Sequence, residues 1–380
     1  MSWLREFKRT LQELDQKVTQ PDGWPVAGLT AFYGLDFPTT RAPIKYISSS
    51  GIYLDIQEPL PVGQIVTLRL QMEGHPELSS ELEILIQAQA AHQDEFGVRL
   101  LFLLPPGLDA ALWEFLIRSI ATLTNPDQVV RVFRTLRAVL FLCRLCSSGA
   151  EEAILLMLDG HLDQDRTTTL FKIAFAAENL LNADPDVDRM RAHPKLVASL
   201  LRGGSWAPDE LTTQLWVGLL ASSCSVDEPD DFNQIFVDLL IQITPRQAVI
   251  FTHACERALS SAPATGDFIP ASVVLGPDEI VRLTGVHDLT RNATELAYLF
   301  NLGLIQNVFD FTSYRDFDRF DITPSRLGLE LFRHCRGQRG KIDPQLVADA
   351  REHLAVFLPP PIPSVFENFT PFVPDPPQEK

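Results

Sequence analysis

Between Leu29 and Phe102 the apolar residues recur at every second position in short runs. The runs are Leu29-Thr30-Ala31-Phe32-Tyr33, then Ile44 and Tyr46, then Ile52, Leu54 and Ile56, then Ile65 to Leu70, Leu82 to Ala88 and Phe96 to Phe102. A period of two with β-branched residues is the pattern of a half-buried strand. The gaps carry turn chemistry: Ser48-Ser49-Ser50-Gly51, Leu60-Pro61-Val62-Gly63 and Gln93-Asp94-Glu95. Short strands at this spacing, joined by turns rather than helices, predict a small antiparallel barrel.

From Asp109 the period changes to three and four. Leu112, Phe115, Leu116, Ser119 and Leu123 form one stripe, and Val129, Val132, Phe133, Leu136, Val139, Leu140 and Cys143 form a longer one. Further helices are predicted within 151–181, over Leu196 to Arg202, Thr212 to Cys224 and Phe232 to Ile243, and from Pro245 to Leu259. Glu295 to Leu302, Phe309 to Asp321 and Ile322 to Leu329 read as helix, hairpin and closing helix, the plan of a winged-helix unit. The fold class is therefore α+β: a barrel, an all-helical region and a winged-helix-like C-terminal unit.

The expected organisation is an N-terminal amphipathic helix over 1–20, the barrel over 26–118, a helical domain over 119–262, the winged-helix-like unit over 270–357 and a proline-rich tail over 358–380. The first helix carries Trp3, Leu4, Phe7, Leu11, Leu14 and Val18 on one face. The tail places Phe366, Phe369 and Phe372 among prolines, which suits an extended chain that packs back on the protein or meets a partner.

The chain has 380 residues, 46% hydrophobic and 21% charged, an ordinary globular balance. A formal net charge of -17 argues against nucleic acid and anionic membrane surfaces, which clusters of Lys and Arg would hold. Arginines 315, 319, 326, 333, 336 and 339 enrich the winged-helix-like segment, but Asp310, Asp316, Asp318 and Asp321 interleave with them. Five cysteines, two of them the C-x-x-C of Cys143 and Cys146, fall in apolar helical sequence and read as packed reduced thiols. Charged residues interrupt the N-terminus where an export signal needs an apolar core, and no apolar run reaches the roughly 20 residues of a membrane span. A cytoplasmic protein is expected.

No phosphate loop, dinucleotide fingerprint, hydrolase elbow or zincin motif is present. The eight histidines lack metal-ligand spacing and read as surface or cap residues, and the acids of Asp184 to Asp188 lack the glycine and glutamate of a calcium loop. Neither catalysis, a metal nor a cofactor is indicated.

Three pieces in order, Ile47-Ser48-Ser49-Ser50-Gly51, Leu60 to Gly63 and Phe96-Gly97-Val98-Arg99, resemble the PilZ domain, a small β-barrel that binds cyclic di-GMP. The resemblance runs from about Val26 to Phe115 and implies a cyclic dinucleotide ligand near Arg41, Lys45, Tyr46, Ser48 and Gly51. Guanidinium groups grip phosphates bidentately and read guanine edges, so a site of this kind depends on arginines. The R-x-x-x-R of the N-terminal part is Arg5 to Arg9, either a displaced clamp or a solvated helix face. Tyr46 stands where the ligand-binding form has an acid or amide, and its bulky phenol is expected to fill the site.

His193-Pro194, Leu215 to Ala221, Phe232 to Leu240 and Ile243 to Ala248 are similar in order to the helical region of the abortive-infection alpha family, with Gln247 where an acid is expected. Two functions follow as expectations. One is a non-enzymatic bacterial signalling or regulatory protein whose PilZ-like domain binds cyclic di-GMP weakly or serves as a protein-interaction module. The other is a phage-defence protein with the helical region as effector. Both call for a protein partner.

Overall fold

The computed structural model describes residues 23–24, 28–35, 37–56, 58–73, 82–122, 126–146, 149–158, 164–227, 229, 231–260, 272–306 and 319–339. The expected N-terminal helix with Arg5 and Arg9, most of the expected C-terminal hairpin and the proline-rich tail lie outside them. The chain divides into two compact units, Met1–Ala248 with Leu331–Gly340, and Val249–Glu330 with Lys341–Lys380.

The first unit opens with seven antiparallel strands: β1 (Leu29–Gly34), β2 (Thr40–Ala42), β3 (Ile44–Ile47), β4 (Gly51–Leu54), β5 (Ile65–Met72), β6 (Glu83–Asp94) and β7 (Gly97–Leu103). Their order is β2-β1-β5-β6-β7-β4-β3. The alternation in sequence becomes buried rows that run across neighbouring strands of the sheet. Tyr33 stands opposite Leu68 and Leu68 opposite Ile86, while Ala90 faces Leu100 and Leu100 faces Ile52. All of these are buried.

The closed barrel expected from the strand spacing is not formed. The sheet ends at β2 and β3, which no ladder joins. Yet these two edge strands are consecutive in sequence, with Pro43 between them. Proline has no N–H to give a ladder, so the strand breaks there, pairing with β1 before it and with β4 after it. The Pro43 carbonyl still accepts from the Asp55 N–H at 2.9 Å. The two edges are bridged by the chain itself, where a barrel would have a row of hydrogen bonds.

The helices that follow in this unit are α1 (Ala110–Thr122), α2 (Pro126–Cys146), α3 (Glu151–Leu158), α4 (Gln164–Asn182), α5 (Pro194–Gly204), α6 (Glu210–Ser222) and α7 (Gln234–Gln242). In α1, Trp113 is 1% exposed, meets Phe102 edge to face and donates its indole N–H to the Ser49 carbonyl at 2.6 Å. That bond ties the helix to the serine turn. Helix α6 is apolar on every face, and from Leu215 to Ser222 every residue is buried, as a helix at the centre of a bundle must be. Asp209 caps it by accepting from the Thr212 N–H at 2.8 Å.

Helix α8 (Pro245–Ser260) begins in the first unit and continues into the second. There β8 (Val274–Leu275) pairs antiparallel with β9 (Phe320–Asp321), and α9 (Pro277–Thr284) and α10 (Leu289–Asn301) lie between them in sequence. At the start of α9 the Gly276 N–H donates to Glu279 Oε2 at 2.9 Å, and Asp288 caps α10. Helix α11 (Arg326–Cys335) leaves this unit and ends in the first. No described helix is long and apolar enough to cross a membrane.

Candidate functional site

The five residues singled out around the serine turn each make contacts within the protein. Arg41 donates to the Glu73 carboxylate at 2.7 Å and to Thr30 Oγ1 at 3.4 Å. Lys45 donates to the Phe96 carbonyl, lies 3.9 Å from the Asp55 carboxylate and sits over the Tyr53 ring. Tyr46 stacks on Tyr53 with ring centroids 4.9 Å apart, so the phenol does occupy space beside the turn. Ser48 Oγ accepts from the Gly51 N–H at 3.2 Å and closes its own turn. Gly51 is there for space, since a Cβ would stand 2.1 Å from the Leu100 carbonyl oxygen. Both cations thus already face carboxylates of the sheet. The two singly charged phosphodiesters of a cyclic dinucleotide would have to compete with them.

Tyr53 is buried and donates to Asp94, and burial together with that bond pushes its phenol up to about 12. The same bond, with the Phe96 N–H, holds the Asp94 carboxyl below its usual range.

The other sequence-level candidates resolve as packing. Cys143, Cys146, Cys224, Cys255 and Cys335 are buried and in no disulfide, and burial raises the Cys143 thiol to about 11 and the Cys146 thiol to about 12. Burial of this kind disfavours the thiolate of Cys143 and Cys146 at neutral pH. Asp184 accepts from the Asp186 N–H and from Arg339 at 2.7 Å, and no cluster among the described residues has the makings of a metal site. His334 departs from expectation. It is 4% exposed, packs on the Phe236 ring and lies 3.3 Å from Ser222 Oγ, and burial depresses it to about 4.

The described residues do form a built cleft in the helical bundle, about 680 Å³, walled by α5, α6 and α7 and by the start of α8. That volume lies within the range of ligand sites. Trp216, 2% exposed, forms the floor, and Gly203 of α5 passes over it. A Cβ at Gly203 would meet the Trp216 ring at 2.7 Å and Ile241 at 3.0 Å. Trp206 and Ile241 stand at the rim, 67% and 57% exposed. The Arg166 guanidinium lies 3.8 Å from the Trp206 ring centroid and donates to Ser205 Oγ at 2.9 Å, which fixes the exposed indole.

Polar groups are few and placed. Asp238 accepts from Gln234 at 2.9 Å and has no cationic partner among the described residues. Thr212, 5% exposed, has a hydroxyl that no described group bonds. Arg202 is paired with Glu152.

The helices that wall this cleft are also the part of the chain with a known counterpart. Residues 168–331 match the family model for abortive infection alpha. The match runs from within α4 to within α11 and so contains every residue of the cleft, and it does not reach the seven-stranded sheet. No curated protein and no solved structure matches the chain. The similarity expected over 193–248 is therefore found, over a longer span. Gln247, the departure from the expected acid, does an acid's work at the start of α8: its Oε1 accepts from the Thr244 N–H at 2.9 Å, and Thr244 Oγ1 accepts from the Gln247 N–H at 3.3 Å. This is a capping box with an amide in place of a carboxylate.

The cleft itself is not legible in the sequence. Trp206 lies between predicted helices, and the signals that point to it are the Gly203-Gly204 pair and the proline at 208. These read as a helix end.

Proposed function

We propose that this chain is a phage-defence protein of the abortive-infection kind, in which the helical region is the effector and acts by binding. The observation that carries the reading is the match to abortive infection alpha over residues 168–331, the stretch that supplies all walls of the Trp206–Trp216 cleft. In this reading the protein works in the bacterial cytoplasm, and the seven-stranded sheet serves as a sensing or interaction module. The pairing of Arg41 with Glu73 and of Lys45 with Asp55 weighs against a cyclic dinucleotide as its signal.

The test is phage plating on a bacterial host with and without the full-length protein. Lower plating efficiency for at least one phage of a diverse panel, restored by Trp206→Ala, is the expected result. Equal plating across the panel despite verified expression would refute the reading.

A further inference from the structure

We propose that the α5–α6–α7 cleft is a docking site for a partner polypeptide segment carrying a lysine or arginine next to an aromatic or branched aliphatic side chain. The proposal deepens the phage-defence reading and rests on it for the partner's biological role.

The apolar half of the recognition comes from the two tryptophans. Trp216 lies under the cleft as a floor, and Gly203 and Gly204 thin the end of α5 so that this ring sits close beneath it: a Cβ at Gly204 would also meet Trp216, at 3.2 Å. Both glycines lie at the C-terminal end of α5, where the missing Cβ atoms leave room for the ring. Trp206 is the reverse case, a large indole two-thirds exposed and yet held in place by the Arg166 guanidinium and, through it, by Ser205. A pre-fixed exposed aromatic loses little entropy when a partner covers it. With Ile241 exposed at the same rim, the apolar surface extends beyond the cleft mouth, which suits a chain segment better than a small molecule.

The cationic half comes from Asp238. Its carboxylate is half-buried in the wall made by α7, beside Val237, Leu240 and Ile241, and its one described partner is the neutral Gln234 amide. A carboxylate partly withdrawn from water among apolar side chains gains most from a cation brought to it. At longer range the net charge of -17 draws basic partners and repels nucleic acids and acidic peptides.

The experiment presents the purified full-length protein to a positional-scanning library of acetylated tetrapeptides. The expected result is selection of Lys or Arg beside Phe, Trp, Leu or Ile. The best tetrapeptide is then titrated in solution by tryptophan fluorescence. Trp206→Ala should weaken it about tenfold or more, and Asp238→Asn should remove most of the preference for lysine over glutamine. Circular dichroism melts establish that both variants fold, and Trp206→Phe, which keeps a smaller ring, should bind with intermediate strength. Absence of any selection, selection of acidic residues, or wild-type binding by both variants would overturn the site. Selection without any effect on phage plating would sink the defence reading and leave the site standing. Plating protection without selection would do the opposite.

Discussion

Gly218 sits in the middle of α6, where an alanine would ordinarily stabilise a helix by about 1 kcal/mol. Here the helix is crossed by the end of α11. A Cβ at Gly218 would stand 1.8 Å from the Cys335 carbonyl oxygen, and contacts of this kind essentially never fall under 3.0 Å, so the carbonyl must retreat by roughly 1.2 Å. The atom in the way is backbone, and no rotamer change relieves it. Retreat also loosens the neighbouring contacts of α11, the His334–Ser222 approach at 3.3 Å and the His334–Phe236 ring contact at 4.9 Å. Overpacking of this type costs about 1–3 kcal/mol, and a lost buried hydrogen bond adds about 1 kcal/mol. Set against the propensity gain, Gly218→Ala should lower stability by about 2 kcal/mol and the melting temperature by a few degrees. Thermal melts followed by circular dichroism check this, with Gly276→Ala as control, where the nearest atom is Glu279 Oε2 at 3.8 Å. A Gly218→Ala protein that melts at or above the wild type would refute the crossing of α6 by α11.

Four further outcomes are expected. His334 has a folded pKa of about 4, below its ordinary value, so the unfolded chain takes up its proton first as pH falls. Its contribution to stability is complete above about pH 6.5 and is lost down to about pH 4, and a His334→Gln variant should show a shallower acid slope in that window; an unchanged slope would contradict the buried neutral imidazole. Tyr53 is raised, so spectrophotometric titration should find one phenol ionising only near 12, and Tyr53→Phe should remove that late step. Trp113→Phe deprives the Ser49 carbonyl of its donor and should cost about 1–2 kcal/mol in chemical denaturation, with no change if the indole bond is absent. Calorimetric titration of the full chain with cyclic di-GMP should give no sub-micromolar binding; such binding, abolished by Ser48→Ala, would restore the dinucleotide reading of the sheet.

The two secondary-structure periods and the change between them near Asp109 were readable from the chain, because each residue's side of a strand or helix follows from local geometry. That is why the strands from Leu29 and from Ile65, and the stripes that became α1, α2 and α5 to α8, stand close to their expected places. The link of residues 193–248 to abortive infection alpha was readable in the same way, from the order of helices. Pairing across distance was not. That β2 and β3 leave the sheet at opposite edges depends on which strands accept the chain on either side of Pro43, a choice made by long-range ladders. The fate of Arg41 was set by Glu73, 32 residues away, and the burial of His334 by Ser222 and Phe236, which periodicity within α11 does not reveal. The cleft is the extreme case. Gly203, Trp206, Trp216 and Asp238 become one surface only because α5, α6 and α7 come together around a gap, and how helices pack is settled by side chains from all three at once.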